Sequence, residues 1–162
     1  MYTDTQNIVD PISKLLGDWS AGINIGSILF RMVISVVFAA IIGCERSSKR
    51  HAAGLRTFIL VSLSMTIASL IDVFLAETFG STIMLISAAT VIGAAIISSN
   101  SILYSSKNQI KGLTTAVGLW ASGIIGIAVG TGFYSVALFG FIALLFCLAL
   151  FPSFETYLKN RS

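Results

Sequence analysis

The sequence predicts an all-α integral membrane protein: a five-helix transmembrane bundle with the amino terminus outside and the carboxyl terminus inside. Three observations predict it. The 162-residue chain is 56% hydrophobic and 10% charged, with a mean hydropathy of +0.92. A soluble domain carries about 25% charge, so a soluble enzyme and a disordered tail are both excluded. The apolar residues fall in continuous runs as long as a spanning helix, without the dyad alternation of a membrane barrel. The basic residues gather on one side of those runs. At ~20 residues per span, the length allows about five or six spans and no second domain.

The elements follow in chain order. Residues 1–22 are expected to form an extracytoplasmic segment, because Asp4, Asp10 and Asp18 outweigh Lys14 there, the reverse of a signal peptide's basic start. The spans are predicted at Ile23 to Gly43, Thr57 to Leu75, Thr82 to Leu103, Leu113 to Gly132 and Tyr134 to Phe151. Pro152 is expected to stop the fifth helix. The transmembrane domain is thus 23–151, followed by a cytoplasmic tail at 152–162. With the amino end out, Arg46, Lys49, Arg50, Arg56, Lys107, Lys111, Lys159 and Arg161 lie inside, and Lys14 alone lies outside. The positive-inside rule puts the basic side in the cytoplasm. Arg46, Lys49, Arg50 and Arg56 crowd one short interval, the pattern of a cytoplasmic loop, so the net charge of +3 does not imply a nucleic-acid partner.

An internal repeat links the two halves. Ser47-Ser48-Lys49 and Gly54-Leu55-Arg56-Thr57 return, at an offset of 58 residues, as Ser105-Ser106-Lys107 and Gly112-Leu113-Thr114-Thr115. Each copy leads from a cytoplasmic loop into an in-to-out helix, a parallel hairpin repeat of spans 1–2 and 3–4.

Small residues mark helix packing. Thr114, Gly118, Ser122, Gly126 and Gly130 recur every fourth residue on the fourth span, a face that lets another backbone approach closely. Its expected mate is the first-span face of Ser35, Ala39 and Gly43, in the same chain or in a second copy. Arg31 lies on that first-span stripe, ~12 Å inside the outer end at 1.5 Å per residue, where a charge costs at least ~2–3 kcal/mol without a partner. Asp72 lies at a depth of ~5 Å by the same rise. An ion pair between them, outward snorkelling of Arg31, and a functional site are the three readings.

Catalytic chemistry is thin. His51 sits beside Arg50 in the basic loop, and no triad, HExxH motif or carboxylate cluster is present. Cys44 and Cys147 form neither a CxxC pair nor a disulfide framework. No catalytic residue, metal or cofactor is expected. Glu45, at the start of the first cytoplasmic loop, is followed by Arg46 and faced by Arg56 at the start of the second span. That arrangement reads as a loop clamp before it reads as a catalyst.

Gly43-Cys44-Glu45-Arg46, a basic loop, and Ala53-Gly54-Leu55-Arg56-Thr57 together resemble the hallmark of the MgtC/SapB/YhiD family of bacterial membrane proteins. Gly112-Leu113-Thr114-Thr115-Ala116, Trp120 and Gly126 through Gly130 resemble that family's fourth helix, and Arg31 takes the place of an arginine in its first. The resemblance covers residues 23 to 150. Two departures stand out. Thr82-Ile83-Met84-Leu85-Ile86-Ser87 replaces the family's Asp-Pro-x-Arg-Ile-Ala segment. Its glycine-rich stretch becomes Gly93 to Asn100, with one glycine of four retained, so close backbone approach is partly lost or replaced by Ser and Asn hydrogen bonding. The chain is expected to be a short member without the soluble carboxyl-terminal domain.

The resemblance implies the bacterial plasma (inner) membrane. It also implies a link to magnesium limitation, acid stress, virulence or membrane-energy regulation. The expected activity is a regulator or scaffold acting by helix–helix contacts, its partners being the lipid bilayer and another membrane protein or a second copy. The alternative is a transporter or ion-carrier subunit, related to magnesium or protons, with Arg31 and Asp72 lining a path.

Overall fold

The structure, a computed structural model, describes residues 10–20, 22–48, 53–80, 84–105 and 109–159. Within them the chain folds into α1 (Pro11–Leu16), a 3-10 turn (Asp18–Ser20), α2 (Ile25–Ser48), α3 (Leu55–Phe79), α4 (Leu85–Ser99), β1 (Leu103–Ser105), β2 (Gln109–Lys111), α5 (Leu113–Gly130) and α6 (Tyr134–Lys159). Apart from the small antiparallel β1–β2 hairpin, which pairs Tyr104 with Ile110, the described fold is helical. Three helices, α2, α3 and α5, are long and apolar enough to cross a membrane. A shorter apolar helix, Leu85–Ser99, and the apolar stretch Tyr134–Ala149 of α6 accompany them.

Several helix ends lie away from their predicted places. α2 runs on to Ser48, so Glu45 and Arg46 belong to its last turns and not to a loop. α4 has 15 residues, ~22 Å at 1.5 Å per residue, against the ~30 Å of a bilayer core. Its start is set by a carboxylate from α3, described below, and beyond it Leu103–Ser105 turns into β1. α6 continues through Pro152 to Lys159, against the expectation that proline would end it. Proline leaves the carbonyl four residues earlier without its helical donor, and here that carbonyl receives a side-chain donor instead.

Glycines set two of the boundaries. Gly80 closes α3 in the left-handed region at φ 66°, its N–H bonded to the Ala76 carbonyl, a glycine C-cap. Gly112 precedes α5 at φ 87°, and a Cβ there would stand 1.9 Å from the Ser101 carbonyl oxygen, so only glycine fits. The two Gly-Leu-x-Thr copies open α3 and α5 through differing backbones, since Gly54 is extended. Residues 49–52 and 106–108 of the repeat lie outside the described residues.

α3 packs against both α2 and α5, α4 leans on α3 and α5, and α6 on α5. The core contains Ala39, Ile42, Phe58, Met65, Leu119 and Val129, each no more than 1% exposed. Phe58 fills the half of the bundle nearer Gly43: a Cβ on Gly43 of α2 would stand 3.2 Å from its Cβ, and one on Gly118 of α5 would stand 3.9 Å from its Cζ. Phe38 of α2 stacks on Phe141 of α6 at 4.5 Å, which ties those two helices together.

Candidate functional site

The polar groups a bilayer would penalise are gathered inside the bundle. Arg31, 1% exposed, donates from Nη1 to the Gly130 carbonyl (2.9 Å), from Nη2 to the Ser20 carbonyl (2.9 Å) and from Nε to Tyr134 Oη (3.2 Å). Gly130 is the last residue of α5, so its carbonyl lacks a helical partner and a cation is favourable there. Tyr134 Oη in turn donates to the Ser20 carbonyl at 3.1 Å. The segment around the 3-10 turn is thereby fastened over the ends of α2, α5 and α6.

Asp10 fastens the same segment at its other end. Its carboxylate accepts from the Ile12 and Ser13 amides of α1 and from the Ser135 amide and hydroxyl of α6. One side chain thus caps two helices. Burial alone would raise the carboxyl's pKa, but these hydrogen bonds outweigh it and hold Asp10 below its ordinary value.

Between α2, α3 and α5 runs a chain of hydroxyls. Ser35 and Ser62 lie 2.9 Å apart. Thr66 Oγ1 is 2.7 Å from Ser35 Oγ and 2.9 Å from the Ser62 and Gly126 carbonyls, and Ser69 donates to the Thr66 carbonyl. The glycines of α5 make room for it. A Cβ on Gly126 would meet the Ser62 carbonyl oxygen at 2.4 Å, and one on Gly130 would meet the Thr66 carbonyl oxygen at 2.7 Å. Towards the carboxyl end of α2 the chain gives way to the apolar layer of Ala39, Ile42, Phe58 and Leu119. Ser122 Oγ and Thr115 Oγ1 are buried with no hydrogen-bond partner among the described residues.

Asp72 is also spent on structure. Its two oxygens accept from the amides of Ile86 (3.1 Å) and Ser87 (2.6 Å) and so cap the first turn of α4, whose own N-cap residue, Met84, supplies no side-chain acceptor. At the opposite end of α2, Glu45 Oε2 accepts from Arg46 Nε at 2.5 Å. Arg46, 1% exposed, donates from Nη2 to the Leu148 carbonyl of α6.

These positions settle where the sequence-predicted residues lie. Arg31 and Asp72 do not pair, because each is committed to backbone groups of a different helix end, and Arg31 is too buried to snorkel. Glu45 and Arg46 meet, but Arg56 is exposed and its side chain makes no hydrogen bond or ion pair among the described residues, so it takes no part in the expected clamp. Gly54, Leu55 and Thr57 open α3. Gly118, Ser122, Gly126 and Gly130 are buried as a face, while Thr114 is exposed. The mate of Gly126 and Gly130 is α3, not the α2 stripe. Gly43 of that stripe meets α3 too, with a would-be Cβ 2.7 Å from Leu55 Cα.

Sequence reasoning missed Asp10, Tyr134 and the Ser62–Thr66 pair. Asp10-Pro11 does carry a signal, an N-cap acceptor followed by proline at the first helical position. The hydroxyls carry none, since a serine or threonine in an apolar run equally bonds its own preceding turn. Among the described residues no three His, Cys, Asp or Glu side chains converge on a point.

Compared with known proteins, residues 32–157 match the MgtC family. The chain is 29% identical over 140 residues to YhiD of Escherichia coli, whose name proposes magnesium transport, covering 83% of this chain and 65% of that protein. It is 32% identical over 127 residues to SapB of Bacillus subtilis, covering 75% and 53%. It is 26% identical over 150 residues to SrpB of Synechococcus elongatus, covering 86% and 79%. The chain therefore spans less than two thirds of the length of YhiD and of SapB. No solved structure matches it.

Proposed function

The chain belongs to the MgtC family, and from that premise we propose that it is a multi-pass protein of the bacterial inner membrane that acts as a regulator or scaffold. In this reading five spans cross the bilayer with the amino end out and the carboxyl end in. The protein works by helix–helix contact with another membrane protein or a second copy, in adaptation to magnesium limitation or stress. One observation carries the reading: the charges a carrier would need are consumed in holding the bundle together. Arg31 closes α5 onto the outer segment, Asp72 starts α4, and Arg46 holds α6. The hydroxyl chain stops at Phe58 and Leu119, 0% and 1% exposed. A polar cargo crossing that apolar layer would have to shed its water without replacement ligands.

The alternative is a magnesium- or proton-related carrier subunit. It draws on the name of the Escherichia coli relative and on the Ser122 and Thr115 hydroxyls, which have no hydrogen-bond partner among the described residues. Purifying the tagged protein at native abundance from its host membrane in mild detergent separates these ideas. The scaffold reading expects a stoichiometric membrane-protein partner or a defined homo-oligomer. A monodisperse lone chain, with no partner recovered after crosslinking in intact membranes, would refute it.

A further inference from the structure

The buried Arg46 does something its place at the end of α2 does not require. Arginines near helix ends ordinarily bond carbonyls that have run out of helical donors. Leu148 is no such residue, since α6 continues for eleven more residues to Lys159. Its carbonyl is nonetheless short of a donor, because the residue four positions on is Pro152, which has no N–H. The Arg46 Nη2 bond falls on that one carbonyl. Glu45 fixes the fork from the other side by accepting from Nε. Leu148 is itself pressed against α5, its Cδ1 3.2 Å from where a Cβ on Gly118 would stand.

We propose that Arg46 is the latch of a hinge in α6. Its guanidinium supplies the hydrogen bond that Pro152 cannot, and this keeps the helix continuous past the proline. Whatever draws Arg46 away lets α6 bend there. The Glu45-Arg46 pair at the α2–α3 corner thus governs the direction in which the chain leaves α6. A change at that corner, such as a partner's acidic group competing for the guanidinium, is transmitted to residues 153–159 without any movement of the core. A charge-assisted bond in a buried setting shifts the straight-to-bent ratio by roughly ten- to a hundredfold.

The test uses the full chain in lipid nanodiscs, with Cys44 and Cys147 replaced by alanine and nitroxide labels at positions 139 and 157 of α6. A continuous helix puts their backbones ~27 Å apart at 1.5 Å per residue. Pulsed electron spin resonance should give one narrow distance for the parent protein and a broad, shortened distribution for Arg46→Met. Adding Pro152→Ala returns an N–H to the Leu148 carbonyl and should restore the narrow distance even without the arginine. Should Arg46→Met fail to assemble, Glu45→Gln tests the same point, with partial broadening reversed by Pro152→Ala. A narrow distance in the single variants, or broadening that Pro152→Ala does not reverse, would overturn the latch and leave Arg46 a packing residue.

Discussion

Replacing Gly126 by alanine adds one methyl group, and the structure fixes what it would meet. The new Cβ would stand 2.4 Å from the Ser62 carbonyl oxygen, 2.9 Å from Ser62 Oγ and 3.0 Å from Thr66 Oγ1. The nearest of these is backbone, which cannot rotate away, so α5 must retreat from α3 by about an ångström to reach ordinary van der Waals contact. Overpacking of this kind costs roughly 1–3 kcal/mol, and stretching the Thr66–Gly126 hydrogen bond adds about 0.6 kcal/mol, the membrane average. The total of roughly 2–4 kcal/mol is large against the stability of a small bundle. Reversible unfolding in mixed detergent micelles measures it, with two internal controls. Gly93→Ala meets nothing within 4 Å, and Gly140→Ala meets only Ile125 Cγ1 at 3.6 Å, so neither should destabilise, and each should gain up to about 1 kcal/mol from alanine's better helix propensity. If Gly126→Ala behaves like these two, the close α3–α5 crossing is wrong.

Three further outcomes follow from the same geometry. Asp10→Asn should destabilise by about 1 kcal/mol at neutral pH, because an amide NH2 then stands where one of the two accepting oxygens meets α1 or Ser135. Because the folded carboxyl titrates below its ordinary 3.8, the contribution is present above 3.8 and is lost as pH falls from there through the folded value; the gap between wild type and variant should close below pH 3.8, read by thermal melts of both. Arg31→Met should cost roughly 2–3 kcal/mol by orphaning the buried Gly130 carbonyl and leaving the Ser20 carbonyl with its Tyr134 donor alone, and Tyr134→Phe only about 0.6 kcal/mol; equal losses in the same unfolding assay would deny Arg31 its central place. In a background without native cysteines, a membrane-impermeant thiol reagent should reach Ser81→Cys from outside and Ser48→Cys only after the cytoplasmic face is opened, and a reversed pattern would refute the amino-end-out arrangement.

Much of the fold was legible because spanning helices announce themselves by apolar length, and α2, α3 and α5 lie where their runs lie. What escaped was where helices end, since an end depends on a distant partner. α4 begins where the Asp72 carboxylate meets Ile86 and Ser87, and α6 outlasts Pro152 where Arg46 reaches Leu148. Neither partner is adjacent in sequence. The stripe from Gly118 to Gly130 was visible for a similar reason: small side chains define a flat surface wherever they recur. A flat surface does not name its neighbour, and α3 took the place expected for α2. Glu45-Arg46 stood out as a motif, yet its target is about a hundred residues away. Arg31 and Asp72 were singled out as costly charges, while the carbonyls and amides that satisfy them are invisible to a reading of side chains.

The central claim is that these buried charges hold a closed bundle together and do not line a path. Transport into sealed proteoliposomes tests it most directly, with a magnesium-sensitive dye and a pH-sensitive dye inside and matched empty vesicles as reference. The account predicts no magnesium or proton entry above the empty vesicles, for the wild type and for Tyr134→Phe alike. A saturable flux in the wild type that Arg31→Gln abolishes, in protein shown to remain folded, would contradict it and make the molecule a carrier.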